Sequence, residues 1–290
     1  MNQARSIDQQ TTIGSLLART PRTLQLDAQL LIGHALNCSR AHVMAHSEKE
    51  LGAKDAQSVA ALITRREAGE PLAYLLGERE FFGLTLAVSP SVLIPRADTE
   101  LLVEQCLALA KPNARVLDLG TGSGAIAIAL KHSRPDLIVT ALDKDPAALA
   151  VAQGNAQRHA CEVHWLLSDW FQAFNGEKKP PQFDFIVSNP PYIAHQDPHM
   201  EELRFEPHQA LVAGQDGLAD YRVICAEAAR YLASDGLLLL EQGAQQAAAV
   251  AELLQRNGFR ELTTRQDLAG HERVTLAGAP RHTQSTHRGT

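Results

Sequence analysis

The residues best placed to do chemistry lie in the run SNPPYI, where Asn189, Pro190, Pro191 and Tyr192 follow the apolar stretch FDFIV. Two successive prolines lack N–H donors and fix φ, so this loop is stiff. The Pro190 carbonyl keeps free lone pairs, and with the Asn189 side-chain oxygen it forms a pair of acceptors. An NH2 group on a carbonyl or an aromatic ring is a poor nucleophile, because its lone pair is delocalised. Two acceptors gripping its hydrogens would orient the nitrogen and stabilise positive charge as a methyl group arrives. Tyr192 could stack on the planar group. Alone, Pro-Pro is an ordinary structural turn. At the carboxyl end of a strand in a parallel sheet, it falls where ligands bind.

A second group precedes it. The run RVLDLGTGSGAIAIAL (115–130) reads as a buried strand, a glycine-rich turn and an Ala-rich helix. Gly120, Gly122 and Gly124, with Thr121 and Ser123 between them, suit a tight turn and close approach of backbone to a ligand. The same run satisfies the dinucleotide fingerprint, and a helix N-terminus there suits a pyrophosphate. Asp118 argues the other way. A carboxylate two residues before the first glycine would repel a pyrophosphate and would suit a cationic, amino-bearing ligand. S-adenosylmethionine carries both a sulfonium and an ammonium. Asp143, ending the next strand in ALDKDP, could accept both ribose hydroxyls of either cofactor. After the third strand, Asp169 could accept from an adenine amino group and Trp170 could cover the ring, although Trp170 also reads as plain core packing.

The elements that must position these residues are read from hydrophobic periodicity. Before residue 80, short helices are expected. Thr11 or Thr12 could cap one through Leu16 and Leu17, Leu26, Leu30, Leu31 and Ala35 share a second, and Val59, Leu62 and Ile63 mark a third ending near Gly69. Pro71 restarts a short helical piece through Leu75. The stretch FFGLTLAVSPSVLIPR reads as a β-hairpin turning at Ser89-Pro90. Beyond it, strands are expected over 115–119, 137–142, 162–167, 183–188, 237–241 and 273–276, with helices between most of them. That alternation specifies an α/β fold, a Rossmann-like, doubly wound, mostly parallel sheet. The expected organisation is a helical bundle over 1–80, a hairpin linker over 81–96, a catalytic domain over 97–278 and a disordered tail over 279–290.

Together these segments resemble the class I S-adenosylmethionine methyltransferases, and in detail the HemK/PrmC family of release factor glutamine-N5 methyltransferases. The supporting runs are GEPLAYLLGEREFFG (69–83), VLIPRADTELLVE (92–104), VLDLGTGSGAIAIAL (116–130), SDWF (168–171), VSNPPYI (187–193) and RFEPHQALVAGQDGL (204–218). The NPPY run is shared with nucleic acid amino methyltransferases, and the runs before the glycines and RFEP are more specific. The resemblance implies S-adenosylmethionine as methyl donor, S-adenosylhomocysteine as product, and the Gln of a release factor's Gly-Gly-Gln loop as acceptor. It also implies that the amino-terminal helices help hold the release factor. The residues implied to contact the cofactor are Gly120 to Gly124, Asp143, Trp170 and Asn189, and Asn189 to Tyr192 would hold the glutamine. One departure is Ala97, where the family usually has proline, which should loosen that turn slightly. Asp98 or Thr99 could simply cap a helix beginning at Glu100. Arg96 is the candidate to order the substrate cleft.

Composition fits this reading. The net charge is −6 over 290 residues, with 45% hydrophobic and 21% charged residues, which disfavours a polyanionic partner. Cys38, Cys106, Cys161 and Cys225 form no CxxC pair, His195 and His199 flank the helix-breaking Pro198, and no metal site is expected. The opening run has no apolar core of a signal peptide, and no stretch is long enough for a membrane span. A cytoplasmic monomer is expected. Three other readings compete: a nucleic acid amino methyltransferase with the same NPPY chemistry, an NAD-dependent oxidoreductase, and a non-catalytic S-adenosylmethionine-binding module. The first predicts a basic cleft, the second leaves NPPY unexplained, and an intact NPPY argues against the third.

Overall fold

The computed structural model describes residues 11–280. The chain divides into two compact units, one ending at Gly77 and one beginning at Glu78. In the first, α1 (Ile13–Arg19), α2 (Gln25–Ala35), α3 (Arg40–Ala45) and α4 (Ala53–Glu67) surround Ile13, Ile32, Val43 and Val59, and α5 (Leu72–Leu76) packs against α2 and α4. Thr12, not Thr11, caps α1, through a reciprocal capping box with Ser15. The inward stripe of α2 is Ala28, Leu31 and Ile32, whereas Leu26 is 52% exposed. Helix α3 escapes the periodicity because it is six residues long and buries only Val43.

The second unit opens with a hairpin, β1 (Glu78–Phe81) and β2 (Leu84–Ala87). Its two-residue turn is Phe82-Gly83, both at positive φ (52° and 74°), so the expected turn at Ser89-Pro90 is displaced. Such a turn matches the twist of the paired strands. Phe82 is held there by its N–H donating to Glu100 Oε1 (2.9 Å). The hairpin is no separate linker, since Phe81, Leu84 and Leu86 belong to the core of this unit. Ser89 still makes a turn, its carbonyl accepting from Val92 N–H, and an irregular loop leads from there to α6.

The remaining elements are α6 (Asp98–Leu109), β3 (Arg115–Leu119), α7 (Ala125–Ser133), β4 (Ile138–Asp143), α8 (Pro146–Arg158), β5 (His164–Leu167), β6 (Phe183–Ser188), α9 (Ala219–Glu227), β7 (Leu232–Glu241), α10 (Ala247–Arg256), β8 (Arg260–Gln266) and β9 (Glu272–Gly278). Among the described residues they build a seven-stranded sheet of order β5-β4-β3-β6-β7-β9-β8, parallel except that β9 runs against both neighbours. Strand β8 is not among the expected strands: RELTTRQ is polar because it is an edge strand with one face to solvent. Strand alternation splits the core. Val116, Val187 and Leu239 face a cluster with residues of α6 and α7, while Leu117, Ile186, Leu238 and Leu240 face α9 and α10. Strand order reverses between β3 and β6, and the carboxyl ends there open a crevice. The expected tail begins later than 279, since Ala279 is buried and donates to Gly236 O. Residues 281–290, and the opening read for a signal peptide, lie outside the described residues. No described helix is long and apolar enough to cross a membrane.

Candidate active site

The glycine turn sits where β3 leaves the sheet. The N–H groups of Gly120 and Thr121 both donate to Leu142 O (3.0 and 2.9 Å), lashing the turn to β4. All three glycines have positive φ, for two distinct reasons. At Gly124 (φ 83°) an added Cβ would lie 2.8 Å from Ile128 Cδ1 and 3.1 Å from Ala152 Cβ, so the requirement is helix packing. At Gly122 (φ 56°) nothing lies within 4 Å of that position, so its backbone borders open space at the cavity. Ser123 is buried, and its carbonyl accepts from Asn155 Nδ2 (2.9 Å). Asn155 also pairs with both backbone groups of Ala87, joining the glycine turn to the hairpin. Sequence reasoning missed Asn155; a polar side chain inside the Ala-rich α8 was the available signal.

Asp143 ends β4 with Oδ2 accepting from Gly122 N–H and Oδ1 from Asp145 N–H, both at 2.9 Å. Burial holds its pKa above the usual carboxylate range, against the pull of those two amides. Trp170 has φ 47°, with its carbonyl held by Ser168 Oγ (2.7 Å) and its ring 3.6 Å from where a Gly120 Cβ would be. Asp169 is exposed and accepts from Gln172. A cavity is lined by Gly120, Thr121, Gly122, Ser123, Asp143, Asp169, Trp170, Asn189, Pro191 and Arg96. Its far wall is the loop through Val92 and Pro95, together with Pro207 and Gln209 from RFEPHQAL. Those two segments are tied by Glu206, which is 8% exposed, ion-pairs Arg96 and accepts from Ile94 N–H (3.1 Å). Gln209 reaches across to Asp145 Oδ2 (2.8 Å).

Asp118, Gly124, Pro190 and Tyr192 do not line that cavity. Alternation along β3 puts Asp118 on the Val116 face, beneath the turn, at 0% exposure. There Oδ2 accepts from the Thr121 hydroxyl (2.6 Å), and burial raises its pKa to about 7, against that hydrogen bond. Its Oδ2 thus supports the turn through Thr121, while its buried Oδ1 has no partner among the described residues. Pro190 is buried and, among the described residues, its carbonyl receives no hydrogen bond. The Tyr192 carbonyl accepts from Gln246 Nε2 (2.9 Å), and burial pushes its phenol up to about 12. Ala97 has φ −60° and ψ −33°, and helix α6 starts at Asp98 rather than Glu100, with no side-chain cap. A proline would adopt the same φ, so the departure at Ala97 leaves the turn's shape intact.

Asn189 combines two properties. Its Nδ2 donates to Thr99 Oγ1 (3.1 Å), and its buried Oδ1 has no partner. A buried acceptor without a donor is costly and marks a place where a ligand supplies one. Asn189 borders the cavity, so one of the two expected acceptors belongs to a residue of its wall, whereas Pro190 does not line it.

A family model described as the methyltransferase small domain matches residues 96–214, and one described as the PrmC N-terminal domain matches 13–77. The chain is 49% identical over 253 residues to the release factor glutamine methyltransferase of Salmonella typhimurium, covering 86% of this chain and 90% of that protein. It is 48% identical over 254 residues to the Escherichia coli protein of the same name, with the same coverage. The Coxiella burnetii protein of that name is 43% identical over 278 residues, 94% of this chain and 96% of its own. A methyltransferase structure from Pyrococcus furiosus shares the fold at a TM-score of 0.54 and 17% identity, covering 75% of this chain and 99% of that one.

Proposed function

Because this chain belongs to the release factor glutamine methyltransferases, we propose that its cavity binds S-adenosylmethionine and that Asn189 presents the side-chain nitrogen of a release factor glutamine to it. The chain is a protein-glutamine methyltransferase, and the nucleic acid alternative is not favoured. The observation that carries the reading is the buried Asn189 Oδ1, which has no donor among the described residues.

The cavity residues fit the cofactor by their chemistry. Asp143 has lone pairs left for ribose hydroxyls after accepting from Gly122 and Asp145. Trp170 offers an aromatic face, Asp169 an exposed acceptor, and Gly122 open space beside the backbone. When bound, the cofactor supplies a methyl group on a positively charged sulfur. The chain's own task is then to hold the acceptor nitrogen. Asn189 Oδ1 and the Pro190 carbonyl accept its two hydrogens, which fixes the nitrogen's direction and favours the charge it gains on methylation. Tyr192 and Pro191 shape the same loop, and Arg96, locked by Glu206, borders the cavity.

The remaining parts of the proposal are that the enzyme acts as a cytoplasmic monomer and that the helical unit helps recognise the release factor. Incubation with purified release factor and methyl-labelled cofactor tests the reading, with label expected on the glutamine of the Gly-Gly-Gln loop. Label on duplex DNA, with none on the factor, would replace it by the nucleic acid reading.

A further inference from the structure

A carboxamide can turn by half a revolution and exchange its oxygen for its nitrogen with little change in shape, so hydrogen bonds decide which end faces a ligand. At Asn189 the decision is made by groups far away in the sequence. Parallel register pairs Ser188 of β6 with Leu240 of β7, which brings the next residues, Asn189 and Glu241, to the same sheet edge. Alternation puts Glu241 on the Leu239 face, toward α6, whose first turn carries Thr99. Thr99 is 4% exposed and Glu241 is 1% exposed. The Thr99 side chain lies within reach of Glu241, and Thr99 Oγ1 accepts from Asn189 Nδ2 at 3.1 Å.

We propose that Thr99 and Glu241 are positioning residues that fix the Asn189 carboxamide with Oδ1 toward the acceptor nitrogen. This rests on the reading of Asn189 given above. A hydroxyl has one hydrogen. When the Glu241 carboxylate takes it, Thr99 Oγ1 shows only lone pairs to Asn189, and Nδ2 is the end that fits. The turned carboxamide would set Oδ1 against those lone pairs and aim N–H groups at the substrate's own NH2. Glu241 Oε2 has no partner of its own, a cost of burial that a purely structural residue would not need. The charged and titratable groups around Glu241 are Asp98 on α6, Arg96 on the loop before it, Arg273 on β9, Tyr192, and Tyr221 on α9, whose hydroxyl donates to the Glu241 carbonyl (2.7 Å). Burial pushes the Glu241 carboxyl up to about 7 and Asp98 adds to that, while the Thr99 hydroxyl, Arg273 and Arg96 favour the ionised carboxylate, the form that accepts from Thr99.

The test compares Thr99→Val, which keeps the shape and loses the hydroxyl, with Thr99→Ser, which keeps the hydroxyl. Glu241→Met removes the acceptor. Two readouts are taken on the full-length enzyme. In asparagine-labelled protein, NMR should show slow hydrogen exchange at the Asn189 carboxamide in wild type and Thr99→Ser, and faster exchange in Thr99→Val. Single-turnover methylation of release factor should fall ten-fold or more in Thr99→Val and Glu241→Met, with cofactor affinity and melting temperature near wild type, while Thr99→Ser stays within about three-fold. Adding Thr99→Val to Asn189→Ala should cost nothing further, because the positioned group is already gone. Unchanged carboxamide exchange in Thr99→Val, or losses that add fully in the double variant, would overturn the proposal. The exchange measurement needs no substrate, so it decides the proposal even if wild type proved to leave release factors unlabelled, a result that would count only against the substrate.

Discussion

Asn189, half-buried just beyond β6, and Asp118, fully buried in β3, do different work. Each keeps one buried oxygen without a partner among the described residues; Asn189 borders the cavity, whereas Asp118 lies under the glycine turn and holds Thr121 with its other oxygen. Asn189→Ala is expected to lower turnover roughly 100-fold, the scale of removing one preorganised polar contact. Single-turnover kinetics check it. Asp118 carries a prediction about stability. Its pKa is raised by burial to about 7 in the folded chain, well above its unfolded value. Between about pH 4 and 7 the folded protein therefore holds a proton that the unfolded chain has lost, and stability falls as pH rises through that window. Asp118→Asn keeps an acceptor for Thr121 and removes the titration. Its denaturation midpoint should vary less over that window and exceed wild type above pH 7. A slope equal to that of wild type would contradict the assignment.

Among the elements, local motifs were legible and long-range partnerships were not. Strands β3 and β6 could be read to the residue because each is a short apolar run bounded by turn signals, as a strand buried on both faces should be. The glycine turn and NPPY were legible for the same local reason. Strand β8 was hidden by its solvent-facing polarity, and the hairpin turn was misplaced because Ser-Pro is a commoner turn signal than Phe-Gly. Thr99, Glu241 and Asn155 could not be found from spacing: Asn189 and Thr99 are 90 positions apart, and Asn155 and Ala87 are 68 apart. Only the fold brings them together. The two glycine requirements separate experimentally. Gly124→Ala should destabilise the protein by about 2 kcal/mol or more, since it adds a clash to the cost of a left-handed backbone. Gly122→Ala should cost nearer 1 kcal/mol while weakening cofactor binding, because its Cβ enters the open space at the cavity. Thermal denaturation with cofactor titration distinguishes them, and equal stability losses would contradict the packing argument at Gly124.

For the whole molecule, a helical unit ending at Gly77 accompanies a catalytic unit that holds the entire described cavity. A free amino acid or a short peptide needs only that cavity, whereas a folded protein substrate can place binding energy on a second surface. Removing residues 1–77 is accordingly expected to raise KM for a release factor far more than for a short Gly-Gly-Gln peptide, with cofactor affinity unchanged; equal effects on both substrates would assign the helical unit no part in recognition. The enzyme is proposed to methylate the glutamine side-chain nitrogen of a folded release factor. Mass spectrometry of an intact release factor after a single turnover tests it directly. One methyl group on the Gly-Gly-Gln glutamine with wild-type enzyme, and almost none with Asn189→Ala, is the predicted result. A factor left unmodified by an enzyme that binds S-adenosylmethionine, or a methyl group found on another residue, would contradict it.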